Sequence, residues 1–233
     1  MVSLPTPTEQ WRIQPAYSFS QAARLAKTSS TNVRRWLRGY EQPGRRMKPV
    51  FSAQAGSDEP TVSFLQLVEI IIVTIFRKER HITLERIRRA HRFASEKFHL
   101  DYPFATLRMK TNGRDVLMDF ERENPGRSLL ALSGDGQFVL PLGVAEAVET
   151  FEFDTWAVRW FPVGKDVPIV IDPQRGAAKP TVEDRGITID TLYRRWKNGQ
   201  TYRFISKEYR LPLDVVEKAL RFADQVVDKR LAA

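Results

Sequence analysis

The chain has 233 residues, no cysteine, 42% hydrophobic and 28% charged residues, and a formal net charge of +9, a composition that folds and can fill more than one small core. The absence of thiols excludes disulfides, thiol catalysis and zinc–thiolate sites, while the cation excess favours a polyanionic partner, of which nucleic acid is the economical choice. Met1–Gln10 lacks the charged and apolar regions of a secretory signal, and the apolar run Ile70–Ile75 is too short to cross a bilayer, so a cytoplasmic protein with no membrane partner is expected.

From Tyr17 to Tyr40 two short helical patterns are joined by a polar turn. Ser18 and Gln21 form a capping box for the first helix, on which Ala22, Leu25 and Ala26 share a face. Ser29 caps the second helix, in which Val33, Trp36 and Leu37 recur at i, i+3 and i+4, and Gly39 supplies a left-handed end. Thr31, Asn32, Arg34, Arg35 and Arg38 are left facing outward. Such residues suit duplex DNA, because arginine pairs guanine O6 and N7 with two prongs, asparagine does the same for adenine, and further guanidinium groups reach phosphates. The alternative is an ordinary helical hairpin with a solvated basic face.

The segment Tyr40–Thr61 is rich in Gly, Pro and Ser and carries Arg45, Arg46 and Lys48; it reads as a linker or a wing, with Pro49-Val50-Phe51 as a short strand. Helices follow from Ser63 to Arg80, with Phe64, Leu67, Val68, Ile71, Ile72 and Ile75 in helical period, and from Thr83 to Phe98, with Leu84, Ile87, Ala90, His91 and Ala94 spaced likewise.

Beyond Pro103 the pattern turns β-like. Thr106–Lys110 and Asp115–Phe120 alternate around Asn112-Gly113, a dipeptide that favours a type I′ turn, so a hairpin is expected there. Leu129–Leu132 and Gln137–Leu140 around Gly134-Asp135-Gly136 read as a second hairpin, and Phe151–Phe153, Trp156–Phe161 and Pro168–Ile171 as further strands. The last third returns to helix. Thr188 or Asp190 caps a helix over Thr191–Asn198, Thr201 opens another over Tyr202–Tyr209, and Pro212 stands in the first turn of a third, with Val216, Ala219, Leu220, Ala223 and Val227 as its stripe. Arg194-Arg195-Trp196 echoes Arg34-Arg35-Trp36 and reads either as a second DNA-binding helix or as an amphipathic helix with Trp196 buried and its cations solvated.

Two resemblances follow from these landmarks. The Ser-x-x-Gln-Ala-Ala-Arg-Leu start, Arg34-Arg35-Trp36 and the later Ile82-Thr83-Leu84-Glu85-Arg86-Ile87 turn resemble the winged DNA-binding domain of MerR-like regulators. This implies that the second helix enters the major groove and that Arg45 and Arg46 in the wing contact phosphates. The long coiled coil usual after such domains is absent, since Pro103 intervenes. Ile169–Ala223 resembles the domain-of-unknown-function 433 family through its Asp-Pro, Gly-x-x-Lys-Pro, Arg-Gly-Ile-Thr, Asn-Gly and Leu-Pro-x-x-Val-x-x-Ala-Leu-x-x-Ala landmarks. It departs from that family at Glu183–Ile187.

The expected fold is α+β: an arm at 1–16, a winged helix-turn-helix over 17–100, a small antiparallel β-hairpin-rich region over 101–165, and a three-helix module over 166–233. In combination the resemblances imply a VapB-type antitoxin, a transcription repressor that binds operator DNA as a homodimer and neutralises a PIN-like ribonuclease toxin. Arg194, Arg195, Lys197, Arg203 and Arg210 are candidates for meeting an acidic nuclease site, because guanidinium forks pair carboxylates. A stand-alone MerR-like regulator without a toxin is the second expectation, and would call for an effector pocket.

Chemistry is not expected. His81, His91 and His99 lack metal-site spacing, and no Walker loop, nucleophile elbow or deaminase signature occurs; Asp115, Asp119, Glu121 and Glu123 lie close in sequence, but Asp115 and Asp119 fall on one expected strand with Leu117 and read as solvent-facing. No enzyme activity, metal or cofactor is therefore expected.

Overall fold

The computed structural model describes residues 7–51, 61–133 and 136–226. The chain forms two compact units, Met1–Ala157 and Val158–Ala233. Among the described residues no helix is long and apolar enough to cross a membrane.

In the first unit a 3-10 turn over Pro7–Arg12 leads into β1 (Pro15–Ser18). This strand feeds α1 (Phe19–Leu25), and after a turn comes α2 (Ser30–Arg38). The short strands β2 (Tyr40–Gln42) and β3 (Arg45–Met47) pair antiparallel about Pro43-Gly44. β4 (Thr61–Ser63) pairs antiparallel with β1, setting Tyr17 opposite Val62, and passes directly into α3 (Phe64–Glu79). Both strands thus end in a serine that caps a helix. Ser18 accepts from the Gln21 N–H and Ser63 from the Gln66 N–H, while each glutamine side chain accepts from its serine's N–H, so the sequence signature fixes the entry angle of each helix. Phe64, Leu65, Leu67, Val68, Ile70, Ile72, Val73 and Phe76 are all buried. A helix apolar around its circumference belongs in the middle of a core, and α3 packs on α1, α4 and α6.

Residues α4 (Leu84–Phe98), capped by Thr83, and a 3-10 turn over Pro103–Ala105 complete the support of α3. The segment 106–123 corrects the sequence expectation. Instead of a hairpin about Asn112-Gly113 it forms one helix, α5 (Leu107–Glu123), capped by Thr106, whose hydroxyl accepts from the Met109 N–H. Met109, Gly113, Val116, Leu117 and Phe120 bury one helical face, and at Gly113 a Cβ would stand 2.9 Å from Met109 Sδ. The turn preference of Asn-Gly is local and weak beside this burial, which only helical spacing provides. β5 (Ala131–Leu132) and β6 (Phe138–Val139) do pair antiparallel, although Gly134-Asp135 lies outside the described residues. α6 (Leu142–Glu149) and β7 (Phe151–Phe153) follow. The region 101–165 therefore mixes two helices with its short strands. Pro49-Val50-Phe51 is not a strand; the Val50 and Phe51 N–H groups both donate to the Trp36 carbonyl, and their side chains are buried. The rest of the expected linker or wing, residues 52–60, lies outside the described residues, as does the Met1–Thr6 part of the expected arm.

In the second unit β8 (Ala157–Trp160), β9 (Ile169–Ile171), β10 (Pro180–Val182) and β11 (Ile187–Thr188) form an antiparallel sheet in that spatial order. α7 (Ile189–Lys197), α8 (Tyr202–Tyr209) and α9 (Leu213–Val226) follow, the first two capped by Thr188 and Thr201, and α7 and α8 both pack on α9. Val216, Ala219, Leu220 and Ala223 are buried as the stripe requires; Val227 lies outside the described residues.

Candidate nucleic-acid interface

The interface is built on the α1–turn–α2 element. Val33 is fully buried and Trp36 and Leu37 are nearly so, while Thr31, Arg34, Arg35 and Arg38 are exposed and Asn32 is half-buried. The inner stripe at i, i+3 and i+4 fixes the rotation of α2, so its opposite face is cationic by necessity. Ser29 accepts from the Asn32 N–H at 3.1 Å, and Gly39 ends α2 at φ +74°. The turn is anchored from behind: Lys78 at the end of α3 donates to the carbonyl of Lys27, itself at φ +53°.

Each outward residue has its own setting. The Arg35 guanidinium lies 4.9 Å from the Tyr40 ring centroid and that of Arg38 lies 5.4 Å from Phe19, arrangements that hold long cations in place by attraction to the ring face. Arg34, with Thr31, Ser30, Ser18, Phe19 and Ser20, lines an open groove of about 360 Å³ beside the first turns of α1 and α2. Asn32 differs from the sequence expectation in one respect, since its side-chain amide donates to Thr28 Oγ1 at 3.2 Å and is engaged within the turn.

Arg45 and Arg46 lie exposed on β3, Arg46 opposite Glu41 and Arg45 opposite Gln42. The hairpin is tied to α2 through Gly39, where a Cβ would come within 2.3 Å of the Met47 carbonyl oxygen. A cation that sequence reasoning missed joins them. Arg88 Nε on α4 donates to the Pro49 carbonyl at 2.9 Å. Its pKa is lowered chiefly by burial, with Arg92 and Arg45 close enough to add like-charge repulsion against the attraction of Tyr40 and Glu85. Arg88 and Arg92 are spaced i, i+4, the one signal in the sequence that they share a helix face.

The second Arg-Arg-Trp motif is arranged differently. Ile189, Leu192 and Tyr193 form the buried stripe of α7, and Trp196 is half-exposed, so the alternative of an amphipathic helix with Trp196 buried does not hold in that form. Its ring lies 5.6 Å from Tyr193 and 6.1 Å from Tyr202, with Lys197 Nζ 4.6 Å above it. Arg195 donates to Tyr209 and Glu208, which raise its pKa. Arg194, Arg203 and Arg210 are exposed. Of the three histidines, His91 is buried against Glu69 and His81 and His99 are exposed with left-handed backbones. Among the described residues no three His, Cys, Asp or Glu side chains gather as a metal site.

Comparison with known proteins agrees with this division. Residues 15–91 match the family described as "Putative DNA-binding HTH domain" and residues 169–223 match "Protein of unknown function (DUF433)". The chain is similar to the uncharacterized protein Rv2308 of Mycobacterium tuberculosis, 26% identical over 226 residues that cover 93% of each chain. It is also similar to the "Putative antitoxin VapB45" of the same organism, 22% identical over 224 residues covering 88% of this chain and 92% of that protein. The crystal structure of Rv2018 from M. tuberculosis superposes with a TM-score of 0.76 at 20% identity, over 90% of this chain and 99% of that one, which establishes a shared fold.

Proposed function

We propose that the protein is a DNA-binding antitoxin without enzymatic activity, which represses its own operator as a homodimer through the α1–turn–α2 element and neutralises a PIN-like ribonuclease. The observation that carries the DNA half is the exposed row Arg34, Arg35 and Arg38, rigidly opposed to buried Val33, Trp36 and Leu37. In this reading α2 lies in the major groove, with Arg34 and Arg38 toward bases and Arg35 toward either strand. The β2–β3 hairpin serves as the MerR-like wing, where Arg45, Arg46 and the α4 cations Arg88 and Arg92 meet phosphates. Cations at this density make binding fall steeply with salt, by about 0.9 log units per log unit of salt for each phosphate neutralised.

The toxin half rests on the distant relative bearing an antitoxin name and on the exposed Arg194, Arg203 and Arg210 of the second unit. Guanidinium groups of this kind can occupy an acidic, metal-binding nuclease site.

The test is a gel shift on DNA upstream of the protein's own reading frame, with Arg34→Ala, Arg35→Ala and Arg38→Ala. Each variant is expected to bind more weakly, with loss of base preference in at least one; unchanged shifts in all three would reject the assignment of α2. Co-purification of the full chain with the product of the neighbouring reading frame tests the toxin half. Failure to capture any nuclease there, with DNA binding intact, leaves a stand-alone regulator.

A further inference from the structure

We infer that Tyr40 is a positioning residue of the DNA interface, whose ring holds the Arg35 guanidinium ready for a backbone phosphate, an inference that rests on the DNA-binding reading above. Arg35 stands in the last turn of α2, and Tyr40 opens β2. Between them Gly39, at φ +74°, turns the chain, and its N–H donates to the Arg35 carbonyl at 3.0 Å. The half-exposed Tyr40 ring has its centroid 4.9 Å from the guanidinium carbon of the exposed Arg35.

The kind of partner matters. Several other cations are engaged through their N–H groups: Arg195 donates to Tyr209 and Glu208, Lys110 to Glu149, and Arg88 to the Pro49 carbonyl. Among the described residues no carboxylate pairs with Arg35 and no acceptor takes a hydrogen bond from its side chain. A ring face attracts the guanidinium charge without accepting from its N–H groups, whereas a carboxylate would engage two of them. Arg35 is therefore restrained while its donor fork stays open. A long side chain loses rotamer freedom when it docks, and a ring that already restrains it offsets part of that loss.

Tyr40 is itself set by the hairpin. It pairs with Met47 across β2 and β3, and the Met47 carbonyl is the atom that a Cβ at Gly39 would strike. It also stands near enough to Arg88 on α4 to act on that cation electrostatically. A displacement of the hairpin is thus passed through one ring to a cation of α2. Phe19, the ring beside Arg38, is buried and cannot be altered without disturbing the core, whereas the half-exposed Tyr40 can.

The test is a double-mutant cycle on the full chain, read by fluorescence anisotropy on labelled DNA from upstream of its own reading frame. Tyr40→Leu is expected to weaken binding about three- to tenfold, the cost of ordering one long side chain. Tyr40→Phe keeps the ring and is expected to stay within about twofold of wild type. In an Arg35→Ala background Tyr40→Leu is expected to change nothing further, since a residue that acts through Arg35 has no effect without it. The salt dependence adds a readout that a folding defect does not give. Arg35→Ala is expected to lower its slope by about one, and Tyr40→Leu, which keeps the charge, to leave it unchanged. Should Tyr40→Leu melt early, Tyr40→Thr, suited to a strand, repeats the cycle. Tyr40→Leu or Arg35→Ala binding like wild type overturns the inference, as does an equal loss from Tyr40→Leu in both backgrounds. A wild type that does not bind rejects the DNA-binding reading and this inference with it, so the two failures are told apart by the wild-type protein alone.

Discussion

His91 Nε2 on α4 lies 2.9 Å from Glu69 Oε1 on α3, with both side chains buried. The same carboxylate oxygen accepts from the Phe104 N–H, and the His91 ring meets Phe51 and Phe104 edge-on at 5.4 and 5.1 Å. One polar pair therefore joins α3 and α4 to the 3-10 turn and, through the ring of Phe51, to the segment that returns from the hairpin. Removing one partner leaves the other buried and under-satisfied, a loss of about 1–3 kcal/mol. His91→Ala is expected to lower the melting temperature steeply, and Glu69→Gln, which keeps a hydrogen-bonding oxygen, to lower it less. Melting of both variants at the wild-type temperature would show that the pair is immaterial.

Gly39 and Gly44 share φ +74° yet differ in surroundings: a Cβ at Gly39 would collide with the Met47 carbonyl, whereas nothing lies within 4 Å of one at Gly44. Gly44→Ala is expected to cost only the left-handed penalty of about 1–2 kcal/mol. Gly39→Ala must also displace the β2–β3 hairpin from α2, and so is expected to weaken DNA binding beyond its effect on stability. Thermal melts paired with gel shifts separate the two, and equal losses in both assays for both variants would contradict the coupling of hairpin to helix.

Burial pushes the Tyr17 hydroxyl well above its ordinary value of 10.0, and that hydroxyl is buried with no hydrogen-bond partner among the described residues. Tyr102 is shifted the same way, first by burial and then by Glu69 and Asp101. A folded-state pKa raised above the unfolded one leaves stability whole below pH 10. Above it the unfolded chain releases the proton first, so stability falls with rising pH, by about 1.4 kcal/mol per pH unit for each such tyrosine. Tyr17→Phe removes an unsatisfied hydroxyl, so it is expected to hold or raise the melting temperature at pH 7 and to flatten the decline above pH 10. An alkaline slope identical to wild type would place the titration elsewhere.

How far the sequence reached depended on the range of each interaction. Ser18 with Gln21, and the inward stripe of α2, were legible because their partners lie within four residues; the capping box of Ser63 with Gln66 acts over the same range. The 106–123 helix was misread because Asn112-Gly113 is a strong local turn signal, whereas the burial of Met109, Val116, Leu117 and Phe120 that overrides it depends on the rest of the first unit. The two readings of Arg194-Arg195-Trp196 stay open in the sequence because the partners that set the facing of α7, such as Asp224 on α9 bonded to Tyr193 at 3.0 Å, are distant in the chain.

The sequence alone determined that a short capped helix with an arginine face follows a second capped helix, because hydrogen-bonding caps and 3.6-residue periodicity act within a few positions. Only the tertiary structure decided which distant cations stand near that hairpin, that Asn32 is engaged with Thr28, and that Leu132, Phe138 and Leu142 remain uncovered. Those outcomes depend on packing between segments far apart in the chain, where the burial of one face settles what the opposite face presents.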